Sequence, residues 1–142
     1  MNTGNAQQIL LPTGNFGVRD VEIDTSRDVA YLAMRATFSG TVATTIVGAN
    51  LVSNEVGTAG KLYELNLANN VVTRQVSVGI GPWQIAMAPV SGYMHVFLTN
   101  YADEPNNANA DSVSQIDVNT FQSVRKLPTL NQPTAISVQW LD

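Results

Sequence analysis

The 142-residue sequence predicts an all-β protein built from repeated four-stranded units, and three observations carry that expectation. Val, Ile and Thr supply 37 of the residues and fall in short alternating runs separated by Gly, Asn, Asp, Ser and Pro, the pattern of strands and turns. No segment sustains a 3.6-residue apolar period between capping residues, so no helix is expected. The third observation is internal repetition. Shifted by 51 residues, Leu62, Leu65, Asn66, Leu67, Arg74 and Val76 fall on Val113, Ile116, Asp117, Val118, Arg125 and Leu127, and Pro82, Ile85 and Met87 fall on Pro133, Ile136 and Val138. A second shift, of 64, lays Gly17, Val21 and Ile23 on Gly81, Ile85 and Met87.

Taken in order, the run 7–12 reads as a fourth strand standing before the first unit. Unit A, 16–80, carries strands at about 18–24, 29–35, 61–67 and 71–78, and its extra length between Arg35 and Lys61 reads as an inserted loop or hairpin. Unit B, 81–131, carries strands at about 84–89, 94–100, 112–118 and 122–129. Residues 132–142 supply the first strand of a further unit, near 134–140. Four strands in about 45 to 65 residues is the length of a β-propeller blade. The expected fold is therefore a single β domain, 1–142, of two propeller blades with a strand overhanging at each end, an incomplete ring. Inner strands of a propeller converge and need small residues between branched ones. Ala86, Ala88, Ala135 and Ser137, interleaved with Ile85, Met87, Ile136 and Val138, meet that need. The alternative is a two-sheet β-sandwich, which ten strands can also build.

Unit B has motifs that go further. It contains Gly79-Ile80-Gly81-Pro82 before Ile85-Ala86-Met87-Ala88-Pro89, then Phe97-Leu98-Thr99-Asn100, then Val113-Ser114-Gln115-Ile116-Asp117 and an apolar Val124 to Leu127. These resemble the YVTN-type β-propeller repeat, with its Gly-x-x-Pro entry, Tyr-Val-Thr-Asn second strand and Val-x-Val-Ile-Asp third strand. Unit A departs from the pattern, reading Tyr31-Leu32-Ala33-Met34 at the signature and Leu65-Asn66 at the end of its third strand. The resemblance implies a propeller and an exported or surface-displayed, extracytoplasmic protein of bacteria or archaea. Related propellers occur in quinoprotein-type dehydrogenases.

Composition narrows the function classes. Charged residues are 13% of the chain, against about 25% in an average domain, and apolar residues are 44%. Net charge is −4, with seven Lys plus Arg of which only Arg125 and Lys126 are adjacent. That provides no electrostatic footprint for nucleic acid or anionic membranes. Without cysteine there are no disulfides, thiolate zinc sites or cysteine-held iron–sulfur clusters. No window approaches 18 apolar residues and the first residues lack a signal-peptide pattern, so a soluble chain without membrane insertion is expected.

No catalytic constellation stands out, and the chain is expected not to be an enzyme. His95 is the only histidine and lies in an apolar strand, where a structural role is expected. Asp20, Glu22 and Asp24 alternate along one strand and share a face, the outer two at strand ends where acids meet water. Glu22 takes the register position of Ala86 and Ser137, so its carboxylate must be solvated by a central channel or paired, Arg19 being the neighbour at hand. Ligand or partner binding is expected at the loops entering the inner strands, where a propeller's channel opens. The residues there are Arg19, Glu22, Trp83, Gln84 and Thr134, Arg19 and Trp83 having the most contact capacity. Trp83 also suits a packing role between blades, and Tyr101 and Trp140 share that ambiguity. The oxygen-rich stretch holding Asp103, Glu104, Asn107 and Asp111 is a candidate calcium site, and equally an exposed turn-rich loop. No other cofactor is implied.

Two blades and two spare strands are too little for a ring, and a lone pair of blades bares apolar sheet faces. The expected function is a non-enzymatic recognition or surface-assembly scaffold, completed by protein partners or self-association. A lectin-like glycan-binding propeller and the propeller part of an exported oxidoreductase are the alternatives.

Overall fold

The alternating apolar runs form strands wherever a turn residue lets the chain double back. The computed structural model describes residues 8–11, 16–36, 44–47, 50–53, 59–101, 111–129 and 133–138. In chain order the strands are β1 (Phe16–Asp24), β2 (Val29–Ala36), β3 (Thr44–Val47), β4 (Asn50–Ser53), β5 (Ala59–Asn66), β6 (Val71–Ile80), β7 (Pro82–Val90), β8 (Tyr93–Asn100), β9 (Ser112–Asp117) and β10 (Gln122–Pro128). There is no helix among the described residues. The protein is all-β. Strands β1-β2-β5-β6 make a first antiparallel sheet and β7-β8-β9-β10 a second, each an up-and-down meander, while β3 and β4 pair as a hairpin inserted between β2 and β5.

The 51-residue repeat is copied in the hydrogen bonds of its turns. Between β5 and β6, Asn66 Oδ1 accepts from the N–H groups of Ala68 and Asn69, and the Asn70 N–H reaches the Asn66 carbonyl. Between β9 and β10, Asp117 Oδ1 accepts from Asn119 and Thr120, and the Phe121 N–H reaches the Asp117 carbonyl. Asn70 and Phe121 both take left-handed φ, 59° and 54°. A short Asn or Asp side chain closes such turns on its own backbone. Phe121 tolerates the strained angle because its ring is buried between the sheets, 6.4 Å from the Tyr31 ring.

Strand register assigns the faces. β2 pairs with β1 and β5 so that Val29, Tyr31 and Ala33 point one way with Leu62, and Ala30, Leu32 and Met34 the other way with Tyr63 and Leu65. In the second sheet Val96 and Leu98, with Ile85 and Ile116, face the first. The shared core joins Val29, Tyr31, Ala33, Leu62 and Val78 to Ile85, Val96, Leu98, Ile116, Val118 and Phe121. By position in the sheets Leu98 matches Leu32 and Ile116 matches Leu65. The two units therefore pack front to back: the side of the second that faces inward corresponds to the side of the first that faces away. Glycine permits the closest approach. A Cβ on Gly60 would lie 2.3 Å from Pro82 Cδ and 2.8 Å from the Met34 carbonyl oxygen.

The far side of the first sheet is covered in part by Ile9 and Leu11. Residues 7–12 and 134–140 read from the sequence as strands, yet the described portions, 8–11 and 133–138, lie in none. A strand needs a neighbouring backbone to pair with. Residues 8–11 rest instead on side chains of the sheet face, and the Ile136 N–H is taken by the Gln84 side chain.

Candidate recognition surface

The site expected at the strand entries is organised around Trp83, at the start of β7. The pairing of β7 with β8 is irregular between Pro82 and Ile85, and that of β1 with β2 between Val18 and Asp20. Such irregularities re-aim side chains. The Arg19 guanidinium lies over the Trp83 ring with Cζ 5.2 Å from the centroid, and Arg35, opposite Gly17 at the end of β2, lies 6.0 Å from the same centroid. The Tyr101 ring stands 5.6 Å from the indole. The Trp83 side is thus an aromatic pair with two cations, drawn from both sheets, and 36% of Trp83 remains exposed. It combines packing between the sheets with an open surface.

Gln84 is half-buried and structural in its contacts. Its N–H donates to Thr99 Oγ1 at 3.0 Å and its Oε1 accepts the Ile136 N–H at 2.8 Å. Thr134 is exposed in the segment that Gln84 holds. Glu22 is half-buried, opposite Tyr31 in the register, with no ion pair to Arg19. Arg19 and Trp83 are therefore brought together, while Glu22, Gln84 and Thr134 belong to neighbouring structure. The flanking acids differ from expectation. Asp24 is buried, 6% exposed, because its Oδ1 closes a turn by accepting from the Ser26 N–H and hydroxyl. Asp20 is half-buried: Oδ1 accepts from Val21 N–H, and Oδ2 from Ile85 N–H of the second sheet at 2.8 Å. Both carboxylates accept from backbone N–H groups.

Of the candidate calcium ligands, Asp103, Glu104 and Asn107 lie outside the described residues. Asp111 is half-buried, with its carbonyl accepting the Thr129 N–H. Among the described residues no three His, Asp or Glu side chains gather as a metal site. Trp140 also lies outside the described residues.

His95 is buried and stands 3.2 Å, Nδ1 to Nε2, from Gln115. The most perturbed ionisable group sits in the inter-sheet core. Burial, then the charges of Glu64 and Asp24, push the Tyr31 hydroxyl up to about 12. Burial also opposes ionisation of Glu64, but hydrogen bonds from Arg74 and Thr73 outweigh it and hold the carboxyl below its ordinary value. Arg74 is raised, chiefly by its hydrogen bonds to Glu64, and its Nη1 donates to the Asn119 carbonyl across the sheets. At the β9–β10 turn, the Thr120 and Asn119 N–H groups keep Asp117 below the usual carboxylate range. These contacts act as clamps of the fold.

Sequence reasoning did not single out Arg35. The signal was available in hairpin register: a β1–β2 turn at residues 25–28 continued regularly sets Arg35 opposite Val18, beside Arg19, and the register shift then moves it to Gly17. Against family models, curated proteins and solved structures alike, the chain returns no match.

Proposed function

We propose that this chain is a non-enzymatic segment of a β-propeller of YVTN type, a recognition or surface-assembly scaffold that works outside the cytoplasm and is completed by further copies or partner chains. The observation that carries the reading is one side-chain-to-backbone hydrogen bond made twice at repeat positions. Asp20 Oδ2 accepts the Ile85 N–H, and Gln84 Oε1 accepts the Ile136 N–H, each at 2.8 Å. The acceptors are 64 residues apart and the donors 51 apart, the two shifts of the sequence repeat. Residues 133–138 thus share with β7 the contact by which β7 meets the first unit, which supports a stacking that runs on past unit B. At the other end, Val21 is 47% exposed where its counterpart Ile85 is 3% exposed. Val18 and Ile23 beside it are open too, an apolar face of the kind that unit B buries. A sandwich gives no reason for the repeated hydrogen bond or for front-to-back packing.

Native mass measurement tests the proposal. The chain purified from its native source is expected to run as a multimer or with a bound partner, and Val21→Asp on the open face is expected to release folded monomer. A wild-type chain that is monomeric, folded and soluble at micromolar concentration would overturn it.

A further inference from the structure

The outer face of the first sheet is covered on one side only. Ile9 and Leu11 pack against its cluster of Leu32, Met34, Tyr63 and Leu65, while Val18, Val21 and Ile23 of β1 stand exposed. Leu11-Pro12-Thr13 repeats Leu127-Pro128-Thr129, and the 51-residue shift carries Leu127 onto Val76 of β6, which packs against the core between the sheets. Residues 8–11 thus hold over the first sheet the place that β6, a fourth strand, holds over the second. Ile85, the counterpart of Val21, shares that core with Ala33 of β2 and Leu62 of β5 as well as with Val78 of β6. What the open side lacks is therefore a second and a third strand. Two strands of the chain belong to neither four-stranded sheet. β3 and β4 form a hairpin that pairs, among the described residues, with no other strand, and a hairpin alone is marginal in water.

We infer that β3 and β4 supply the second and third strands of a blade shared between copies of this chain, with residues 133–138 of the preceding copy as its first strand and residues 8–11 as its fourth. Count and polarity both fit. Residues 8–11 and 133–138 lie in no strand, and with them the ten strands become three sets of four. Register puts the start of β1, the end of β2 and the start of β5 at one end of the first sheet, so the hairpin leaves the fold where inner strands begin. Entering the shared blade from that end, β3 runs with the inner strand and β4 against it. The order 133–138, β4, β3, 8–11 is then antiparallel at every step. The seven residues 37–43 and the five residues 54–58 can span about 23 Å and 17 Å, beyond the ~10 Å that separates packed sheets. A ring then closes from two or three copies of one chain with no edge left open. The shared blade rests on the propeller reading proposed above and makes its partner a second copy of this chain.

Native mass and amide exchange on the full chain, produced without other proteins, test the shared blade. The wild type is expected to assemble as two or three copies. Val47 and Asn50 flank a two-residue connection, so they and the pair Thr45 and Val52 exchange the hairpin's own hydrogen bonds, and the N–H groups of Ile46 and Leu51 point outward. Leu51→Pro deletes the outward donor that faces residues 133–138 and spares the hairpin. It is expected to weaken assembly at least about tenfold while the two sheets still unfold cooperatively. Should that variant misfold, the wild type decides alone: the Leu51 N–H is expected to be protected from exchange in the multimer and to lose that protection on dilution to monomer. A multimer untouched by Leu51→Pro, or one whose Leu51 N–H exchanges as freely as an unpaired amide, would overturn the inference and leave the propeller standing. So would a native complex that holds a different protein in place of the second copy. A wild-type chain that stays a folded monomer would overturn both.

Discussion

The two sheets hold the same cross-strand pair in two chemical forms. In the first, Glu64 on β5 faces Arg74 on β6; in the second, Gln115 on β9 takes the place of Glu64 and Arg125 on β10 that of Arg74. Arg74 Nε donates to Glu64 Oε1 at 2.8 Å, and Arg125 Nε donates to Gln115 Oε1 at 2.9 Å. The geometry repeats while the charge does not. Glu64 is 6% exposed in the joint between the sheets, where Thr73 and a second Arg74 nitrogen also hold it and the guanidinium lies 4.5 Å from the Phe121 centroid. There the ion pair also ties the sheets together through the Asn119 carbonyl. Gln115 is as deeply buried on the side of the second sheet away from the first, beside His95, and a neutral amide spares that face an ionic desolvation cost. A repeat thus preserves a pairing and adjusts its charge to what packs on it.

The largest test of this comparison removes equivalent core leucines. Leu98 is fully buried between the sheets, whereas Leu32, its counterpart, lies under Ile9 and Leu11. Leu98→Ala is expected to cost about 4 kcal/mol and Leu32→Ala about 2 kcal/mol, since a site walled by two sheets collapses less into a cavity. Denaturant unfolding measures both. Equal losses would mean that the outer face of the first sheet is as firmly covered as the inner one.

Much of this arrangement was legible in the sequence. The eight strands of the two sheets follow from alternation, and the matching turns from Asn66 and Asp117 standing 51 residues apart. The register irregularities were not legible, because an extra residue in a strand leaves the alternating pattern nearly intact. They aim Arg19 and set Glu64 against Arg74, so the stacking of Arg19 on Trp83 and the clamp were hidden for one reason, although Arg19 and Trp83 themselves were expected at the site. Asp24 was misjudged similarly: a strand-end acid looks solvent-facing until Ser26 is seen to close its turn. Front-to-back packing came from comparing registers, which needs the pairing and not the pattern alone.

A smaller effect separates the two arginines. Arg74→Ala leaves the Glu64 carboxylate buried without its partner and is expected to cost about 2 kcal/mol, less than a fully buried pair because Arg74 is one-third exposed. Arg125→Ala leaves the buried Gln115 amide oxygen without its donor but strands no charge, and is expected to cost about 1 kcal/mol. The pH dependence sharpens the contrast. Glu64 is lowered in the folded state, so its contribution is complete above the ordinary value of 4.5 and is lost as pH falls through the lower folded value. Stability of the wild type should therefore drop more steeply with acid than that of Glu64→Gln, which imitates the second sheet. Parallel acid profiles would place the acid sensitivity elsewhere.

The smallest effect comes from making the second sheet imitate the first. Gln115→Glu puts a carboxylate opposite Arg125, but Arg125 is exposed and no Phe121 or Thr73 counterpart braces it: register places Val124 where Thr73 stands. Ion pairing and desolvation then nearly cancel, and the change at neutral pH is expected within about 0.5 kcal/mol of zero. His95 supplies the readout. Its Nδ1 neighbours the Gln115 amide, so a new carboxylate there should move the single imidazole resonance at neutral pH. An unmoved resonance would show that the new charge points away from His95, and that this face of the second sheet tolerates a charge as readily as an amide.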